Sequence, residues 1–343
     1  MPAMSMHETG NGGSAGDFIR DALDGLRVGP GTTFKKLTVF PLLKANPAPR
    51  PSYLTLAEAM AAGVLRITEV SKQGSVPELH VVNRSDRPVF LLDGEELVGA
   101  KQNRVVNLDI LVPERTELNI PVSCVEAGRW TYRGPEFSSS PQAMYASGRA
   151  RKLSRVTGSL RGGGARSGDQ AEVWAGIAEF AGLMSVDSPT DAMSDVYDQH
   201  AASIDEYVTA FEVSDDQDQV GALFAIGPRI YGFDLFDSAA TMRAYREKLV
   251  RSYALDALAM RDVAAEPPTA EAAQELLESA ARAASESYPG LGLGVDVRVR
   301  EEKREKPLVG AGLLWQEHMV HLNVFTDATA YRAPRARDGR TRS

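Results

Sequence analysis

The stretch that decides the fold runs from Leu79 to Glu126 and reads LHVVNRSDRPVFLLDGEELVGAKQNRVVNLDILVPERTELNIPVSCVE. Short apolar runs alternate in it with turn-forming clusters, which is the pattern of successive β-strands. Strands are predicted at Leu79–Val82, Val89–Leu92, Glu95–Val98, Arg104–Val112 and Leu118–Glu126. Asn83–Pro88 is a turn cluster, and Asp93-Gly94 is a two-residue hairpin signal. The stretch therefore predicts strands joined by short turns.

Helices mixed with hairpins follow this β-rich region. Amphipathic spacing predicts helices at Asp17–Leu26, Thr55–Ala62, Val173–Met184 and Ala239–Met260, and an Ala/Glu-rich helix that runs to about Ser287. Val220–Ile226 and Ile230–Leu235 form a predicted hairpin around Gly227-Pro228. Strands first, then helices and hairpins, predict an α+β fold with a mainly antiparallel sheet or sandwich core and packed helices.

Composition narrows the class of protein. The chain has 343 residues, a formal net charge of -8, 43% hydrophobic residues and a single cysteine. The acidic balance argues against nucleic-acid binding, and the short apolar runs argue against membrane insertion. No signal-peptide pattern begins the sequence. We therefore expect a soluble, cytoplasmic protein, and its oligomeric state is not determined by the sequence.

The chain divides into three predicted parts. Residues 1–16 are expected to form a disordered arm, and 17–326 a single α+β domain. An Arg/Gly-rich segment at 147–169 is expected to form an exposed loop within that domain. Residues 327–343, which contain five arginines, are expected to form a disordered basic tail.

A polar block follows the Asp93-Gly94 turn and extends to Trp130. Basic and amide side chains are crowded there against predicted strands, and such groups donate hydrogen bonds to carboxylate or phosphate oxygens. The candidate ligand-binding residues are Lys101, Gln102, Asn103, Arg104, Arg129 and Trp130. A small anionic ligand is the partner that this set fits.

Three motifs in the sequence resemble a known family. They are DGEELVGAKQNR at 93–104, IPVSCVEAGRW at 120–130 and AIGPRIYGFDLF at 225–236. They are similar to the domain family associated with ADP-ribosylglycohydrolases and rhodanese-like phosphatases, over roughly Phe34–Phe325. The resemblance implies a link to ADP-ribose or NAD metabolism. It carries over no catalytic residue.

Two glutamates in the block, Glu96 and Glu126, are candidate catalytic acids or bases. Cys124 lies in phase with apolar residues, which predicts a buried thiol rather than a nucleophile. His318 and His321, three residues apart on a strand, face opposite ways, so no metal site is predicted. Gly290, Gly292 and Gly294 precede a strand and lack the Lys-Ser/Thr of a phosphate loop, so no cofactor is expected.

The strands Arg104–Val112 and Leu118–Glu126 also suggest a register. If they pair as a hairpin with Val112 opposite Leu118, each apolar residue meets an apolar partner, and Arg104 meets Glu126. A slip of two residues would place a charge against an apolar side chain, which is costly. We therefore predict a cross-strand ion pair between Arg104 and Glu126.

Three functions remain open at this stage. The first is a binding or regulatory domain for a small anionic ligand such as ADP-ribose. The second is a hydrolase of a nucleotide-linked or ADP-ribosyl substrate, with Glu96 or Glu126 as general base and Lys101, Arg104 or Arg129 stabilising the developing anion. The third is an interaction module that binds an acidic protein through the basic loop or tail.

Overall fold

The computed structural model describes residues 13–45, 47, 51–71, 77–128, 134–212, 217–260, 263–264, 266–301 and 307–326. Its helices are α1 (Ala15–Leu23), α2 (Leu56–Ala61), α3 (Ala146–Arg161), α4 (Gln170–Met184), α5 (Met193–Gln199), α6 (Ala201–Ala210), α7 (Ala239–Ala259) and α8 (Ala270–Arg282). Its strands are β1 (Arg27–Val28), β2 (Thr32–Phe34), β3 (Leu37–Leu43), β4 (Leu54–Thr55), β5 (Leu65–Glu69), β6 (Glu78–Asn83), β7 (Val89–Leu91), β8 (Glu95–Gly99), β9 (Arg104–Val106), β10 (Ile110–Val112), β11 (Thr116–Cys124), β12 (Phe137–Ala143), β13 (Gln219–Ile226), β14 (Arg229–Phe236), β15 (Ala284–Pro289), β16 (Val295–Glu301), β17 (Leu308–Trp315) and β18 (His318–Thr326). Over the described ranges, no helix has the length and apolar composition that crossing a membrane requires.

The largest sheet has nine antiparallel strands in the order β1-β3-β13-β14-β18-β17-β16-β15, with β2 beside β3. Helices cover both of its faces. On one face Leu223 shares a core with α1 and α8, and on the other Phe224 stacks on Tyr253 of α7, with ring centroids 3.9 Å apart. This antiparallel sheet with packed helices confirms the predicted α+β class.

A second sheet has six strands in the order β12-β8-β9-β11-β6-β5. The sheet is curled, so that its two edge strands approach each other, and Thr68 forms a β-bridge with Glu136 there. The guanidinium of Arg66 also lies 3.1 Å from the carboxylate of Glu136. The curled sheet encloses its own apolar core, and a three-stranded sheet, β10-β7-β4, adds side chains to that core.

The predicted strand Arg104–Val112 is interrupted. Its first part, β9, belongs to the curled sheet, whereas its last part, β10, pairs with β7 in the three-stranded sheet. Between them the carbonyl groups of Val106 and Asn107 accept hydrogen bonds from Lys152, each 3.0 Å long. The carbonyl of Val106 also accepts a hydrogen bond from the backbone amide of Gly94, at 2.9 Å. The apolar alternation therefore continues through a change of sheet, and Lys152 bonds to the two buried carbonyls at the break.

The predicted register of this hairpin is wrong. Val122 pairs with Val106, and Cys124 pairs with Arg104, which is a slip of two residues from the expected alignment. Glu126 lies beyond the end of β11, where it forms a bridge with Ala192. Arg104 and Glu126 therefore form no ion pair, and the acidic side chain nearest Arg104 is Glu69.

The Arg/Gly-rich segment 147–169 is not an exposed loop. Most of it belongs to α3, which ends at Arg161, just before the glycine triplet. Arg149 and Lys152 are buried on the inner face of this helix, and Arg151 and Arg155 bind glutamates of α4. These four cations are thus paired with carboxylates of the same chain.

The C-terminal boundary of α8 also differs from the prediction. The helix ends at Arg282, and residues Ala284–Pro289 form β15 at the edge of the large sheet, where they pair with β16. Pairing with β16 outweighs the local preference of this Ala/Ser/Glu-rich segment for helix. At the other end of the chain, α1 begins at Ala15, two residues before the predicted start.

Helix α3 receives its N-terminal cap from another helix. Tyr145, at the capping position, offers no side-chain bond. Asp256 of α7 accepts hydrogen bonds from the hydroxyl and the amide of Ser147, at 2.6 and 2.9 Å. Burial raises the pKa of Asp256 to about 6, and the bonds from Ser147 limit that rise. A carboxylate at this end also complements the helix dipole.

Asp256→Ala is expected to lower the free energy of unfolding by about 2 kcal/mol at pH 7.5, because it removes the cap and leaves buried donors unpartnered. The control is Asp205→Ala, since Asp205 has a side chain that is 59% exposed and should cost less than about 0.5 kcal/mol. Urea unfolding followed by circular dichroism measures both variants. Equal losses of unfolding free energy in the two variants would show that Asp256 contributes no more to stability than an exposed aspartate.

Candidate functional site

Arg104 points into the curled sheet at one end of its core. Its neighbours across the strands are Leu97 and Cys124, and Leu97 belongs to the core that the sheet encloses. No part of the Arg104 side chain is exposed. One nitrogen, Nη1, donates to the carbonyl and to the side-chain oxygen of Gln102, both at 3.2 Å. Gln102 therefore fixes the orientation of the guanidinium.

Glu69 faces Arg104 from the last position of β5. It is in phase with the buried Ile67, so its side chain also points into the sheet, and only 9% of it is exposed. The closest approach between its carboxylate and Nη2 of Arg104 is 3.9 Å. This distance is too long for a direct hydrogen bond.

The two charged groups have unfilled hydrogen-bonding capacity. Among the described residues, Nε and Nη2 of Arg104 and both carboxylate oxygens of Glu69 are buried without a hydrogen-bond partner. Buried polar groups are almost always bonded to protein or to an ordered molecule. The buried donors of Arg104 and acceptors of Glu69 are therefore exceptions that call for an explanation.

The structure describes three of the remaining predicted ligand residues, Lys101, Gln102 and Asn103. Gln102 and Asn103 are buried, and both bond to Glu126. The side chain of Gln102 donates to the backbone carbonyl of Glu126 at 2.7 Å, and the backbone amide of Asn103 donates to the carboxylate of Glu126 at 3.2 Å. Lys101 is half-buried. Arg129 and Trp130 lie outside the described residues.

Glu96 belongs to the other side of the same sheet. It pairs with Val105, which packs in the core beneath the helices. Ser140 donates to one of its oxygens at 2.8 Å, and the other oxygen is buried without a hydrogen-bond partner among the described residues. The pKa of Glu96 is raised to about 7, mainly by burial; the bond from Ser140 opposes this rise, and the charge of Asp198 contributes to it.

Cys124 is buried, as its position in the apolar alternation predicts. Its amide and carbonyl bond to the side-chain amide of Gln170 on α4, at 2.8 and 2.9 Å. Burial raises the pKa of the thiol to about 11, which opposes formation of the nucleophilic thiolate. The residue therefore acts as a structural element next to Arg104.

The sequence analysis missed a second buried ionic cluster, centred on Asp234 of β14. Arg149 binds this carboxylate through both terminal nitrogens, at 2.5 and 3.3 Å. Nε2 of His321 lies 3.2 Å from it, and Nδ1 of the same ring lies 2.7 Å from Asp109. The carboxylate of Asp109 also accepts a hydrogen bond from the backbone amide of Asp93, at 2.8 Å. The carboxylate of Asp93 binds the ammonium of Lys152.

Within this cluster, Asp234 and His321 favour each other's ionised state. Burial would raise the pKa of Asp234, but Arg149 and His321 hold it at about 2. Burial would lower the pKa of His321, but Asp109 and Asp234 raise it to about 9. His321 is thus protonated at neutral pH. The exposed His318 takes no part, so the two histidines differ in environment.

Two cavities lie near these elements. The first, between α3 and α4, has a volume of about 20 Å³ and is lined in part by Lys152. A volume of this size has room for about one water. The second measures about 710 Å³ and lies beside the start of α7, lined in part by Tyr53, Arg87 and Thr241. It contains none of the predicted site residues, and Arg87 already donates to the carbonyls of Pro51 and Tyr53.

Metal ligation is not favoured by the arrangement of these side chains. Within the part of the chain that the structure describes, no group of three or more His, Cys, Asp or Glu residues could hold a metal ion. The carboxylates around His321 instead accept hydrogen bonds from it, from Arg149 and from the backbone.

The fold and the buried charges define an α+β domain organised around antiparallel sheets and charged groups in its interior. The chain belongs to the ARPP-1 family, since the ARG and Rhodanese-Phosphatase-superfamily-associated Protein domain matches residues 25–325. The match confirms the suspected resemblance to a family associated with ADP-ribosylglycohydrolases and rhodanese-like proteins. Neither the curated proteins nor the solved structures contain a match to the chain.

The ionic cluster makes stability depend on pH. Because the pKa of His321 is raised from 6.5 to about 9 in the folded protein, its contribution is complete below pH 6.5 and is lost as the pH rises through about 9. We expect the free energy of unfolding to fall by up to about 3 kcal/mol across this window. In His321→Gln most of that fall should be absent.

The control variant is His318→Gln, which changes an exposed histidine on the same strand. Urea unfolding at pH 6.5 and pH 9.5 gives the comparison. His318→Gln should retain the pH dependence of the unchanged protein. If His321→Gln retains it as well, another group is responsible for the titration.

Proposed function

We propose that the protein binds a small anionic ligand at the Arg104–Glu69 pair, and that this ligand belongs to ADP-ribose or NAD metabolism. The observation that carries the proposal is the buried guanidinium of Arg104, two of whose nitrogens have no hydrogen-bond partner among the described residues. A planar guanidinium with free donors suits the oxygens of a phosphate or carboxylate.

The environment of Arg104 supports binding over a purely structural role. A buried guanidinium is expensive unless its donors are satisfied, and the carboxylate at 3.9 Å is too distant to satisfy them. Gln102 holds the guanidinium in one orientation, which lowers the entropy lost when a ligand binds. This fixed orientation supports the proposal that Arg104 binds an anion.

Membership of the family supports the choice of ligand. Its name records an association with ADP-ribosylglycohydrolases and with the rhodanese-phosphatase superfamily. ADP-ribose and NAD both carry a diphosphate, which matches a guanidinium that has two unfilled donors. This link is one of association, and the binding experiment provides the direct test.

Arg104→Lys is expected to weaken the binding of ADP-ribose at least tenfold, because the ammonium keeps the charge and loses the planar fork. The control is Arg66→Lys on strand β5, which changes an arginine whose side chain is 51% exposed. Isothermal titration calorimetry with ADP-ribose and with NAD measures both. Absence of heat in the unchanged protein at millimolar ligand would refute the proposal.

A second function, hydrolysis of a nucleotide-linked or ADP-ribosyl substrate, is supported by Glu96. Its pKa of about 7 suits a group that exchanges protons at neutral pH. Arg104 belongs to the other side of the sheet, so it is poorly placed to assist Glu96. Lys248, which binds the neighbouring Glu95 and lowers the pKa of Glu96, is the better candidate for stabilising an anion.

If Glu96 is a general base, hydrolysis should increase as the pH rises through about 7, because the carboxylate is the active form. Glu96→Gln should abolish this activity, whereas Glu136→Gln, at a half-exposed position, should retain it. Product release from ADP-ribosylated peptide and from NAD, followed by mass spectrometry between pH 5 and 9, is the measurement. Activity in Glu96→Gln equal to that of the control would exclude Glu96 from the reaction.

A further inference from the structure

Helix α5 covers Glu96 on the outer side of the curled sheet. Val105, the cross-strand partner of Glu96, shares a core with Tyr197 of α5. At the start of the helix, the amide of Met193 donates to the first carbonyl group beyond β11, at 2.8 Å. Near its end, the hydroxyl of Tyr197 donates to the carbonyl of Ala143 on β12, at 2.7 Å. Since β8 and β9 lie between β11 and β12, α5 crosses over the strand that carries Glu96.

The carboxyl group of Glu96 has little beside it that would stabilise a negative charge. It has no exposed surface and accepts one hydrogen bond, from Ser140, while its other oxygen is buried without a partner among the described residues. Lys248, the cation that acts on it from α7, is bound to Glu95 instead. A buried carboxylate without its own cation is costly, so the closed arrangement favours the protonated form.

Two further carboxylates repel an ionised Glu96. One is Asp198 on α5, and the other is Glu126 just beyond β11. The remaining ionisable side chains at this end of α5 are Tyr197, whose hydroxyl is bonded to β12, and His200 at the C-cap. Helix α5 has only seven residues, and its N-cap position provides no side-chain bond. It is therefore the element above Glu96 that yields most easily.

We propose that α5 is a proton-controlled cover: ionisation of Glu96 loosens this helix from the curled sheet, and protonation of Glu96 closes it. Opening lets water reach the carboxyl group, which then releases its proton to the solvent. The inference does not depend on anion binding at Arg104, because the cross-strand partners of Glu96 and Arg104 belong to cores on opposite sides of the sheet.

Opening of α5 should increase as the pH rises. In the closed arrangement the pKa of Glu96 is raised from 4.5 to about 7, mainly by burial, and exposure to water returns it toward 4.5. Between these two values opening is coupled to the loss of a proton. The opening constant should therefore rise at least about tenfold from pH 5 to pH 8. It should level off above about pH 7, where Glu96 is ionised in both arrangements.

Hydrogen–deuterium exchange followed by mass spectrometry measures this opening, with each rate corrected for the intrinsic pH dependence of amide exchange. Helix α7 is the internal reference, because it belongs to the same core and reports global unfolding, including the part that depends on His321. The opening of α5 relative to α7 should rise with pH in the unchanged protein. In Glu96→Gln, which keeps the shape and cannot ionise, α5 should remain closed throughout this range.

Two control variants should retain the full pH dependence. Glu136→Gln removes a half-exposed glutamate next to β12, and His200→Gln removes the histidine at the end of α5. In Ser140→Ala, loss of the bond that favours the ionised form should move the levelling to a higher pH.

A constant ratio of α5 to α7 opening in the unchanged protein, or the same rise in Glu96→Gln, would overturn the inference. Loss of the rise in His200→Gln would also overturn it, because the histidine would then be the controlling group. If Glu96→Gln does not fold, Ser140→Ala decides the matter, and a levelling pH equal to that of the unchanged protein would overturn the role of Glu96. None of these outcomes affects the calorimetric test of anion binding at Arg104.

Discussion

The ionic contact between Arg149 and Asp234 organises the interior of this protein. It connects helix α3 to the centre of the nine-stranded sheet, and His321 extends it to Asp109 in the N-terminal half of the chain. Isolated charges at such depth would be costly, so each group requires its partners. The cluster thereby sets where α3 and the loop between β9 and β10 lie against the large sheet.

Local signals predicted much of the secondary structure. Thr55 caps α2 and bonds reciprocally with Glu58, and the hairpin of β13 and β14 turns at Gly227. Such features depend on residues close together in the sequence, where capping and turn chemistry decide the conformation. The burial of Cys124 followed in the same way from the alternation of its own strand.

The polar interior was less predictable because its partners are far apart in the chain. His321 and Asp109 are separated by 212 positions, and Arg149 and Asp234 by 85. Two local signals did exist. Ala150, Leu153 and Leu160 recur with helical spacing inside the Arg-rich segment, and Asp234 interrupts an apolar strand. Of the predicted site, the grouping of Gln102, Asn103 and Glu126 is observed, whereas Arg104 meets Glu69 in place of Glu126.

The position of β18 has a consequence for the order in which the protein is made. This strand, the last one that the structure describes, lies between β14 and β17 in the middle of the large sheet, and it supplies His321. On the ribosome, the earlier strands emerge without their central neighbour and with Asp109 and Asp234 lacking a shared cation. The large sheet can therefore close only after residue 326 has emerged, so its assembly waits for the synthesis of all the strands described here.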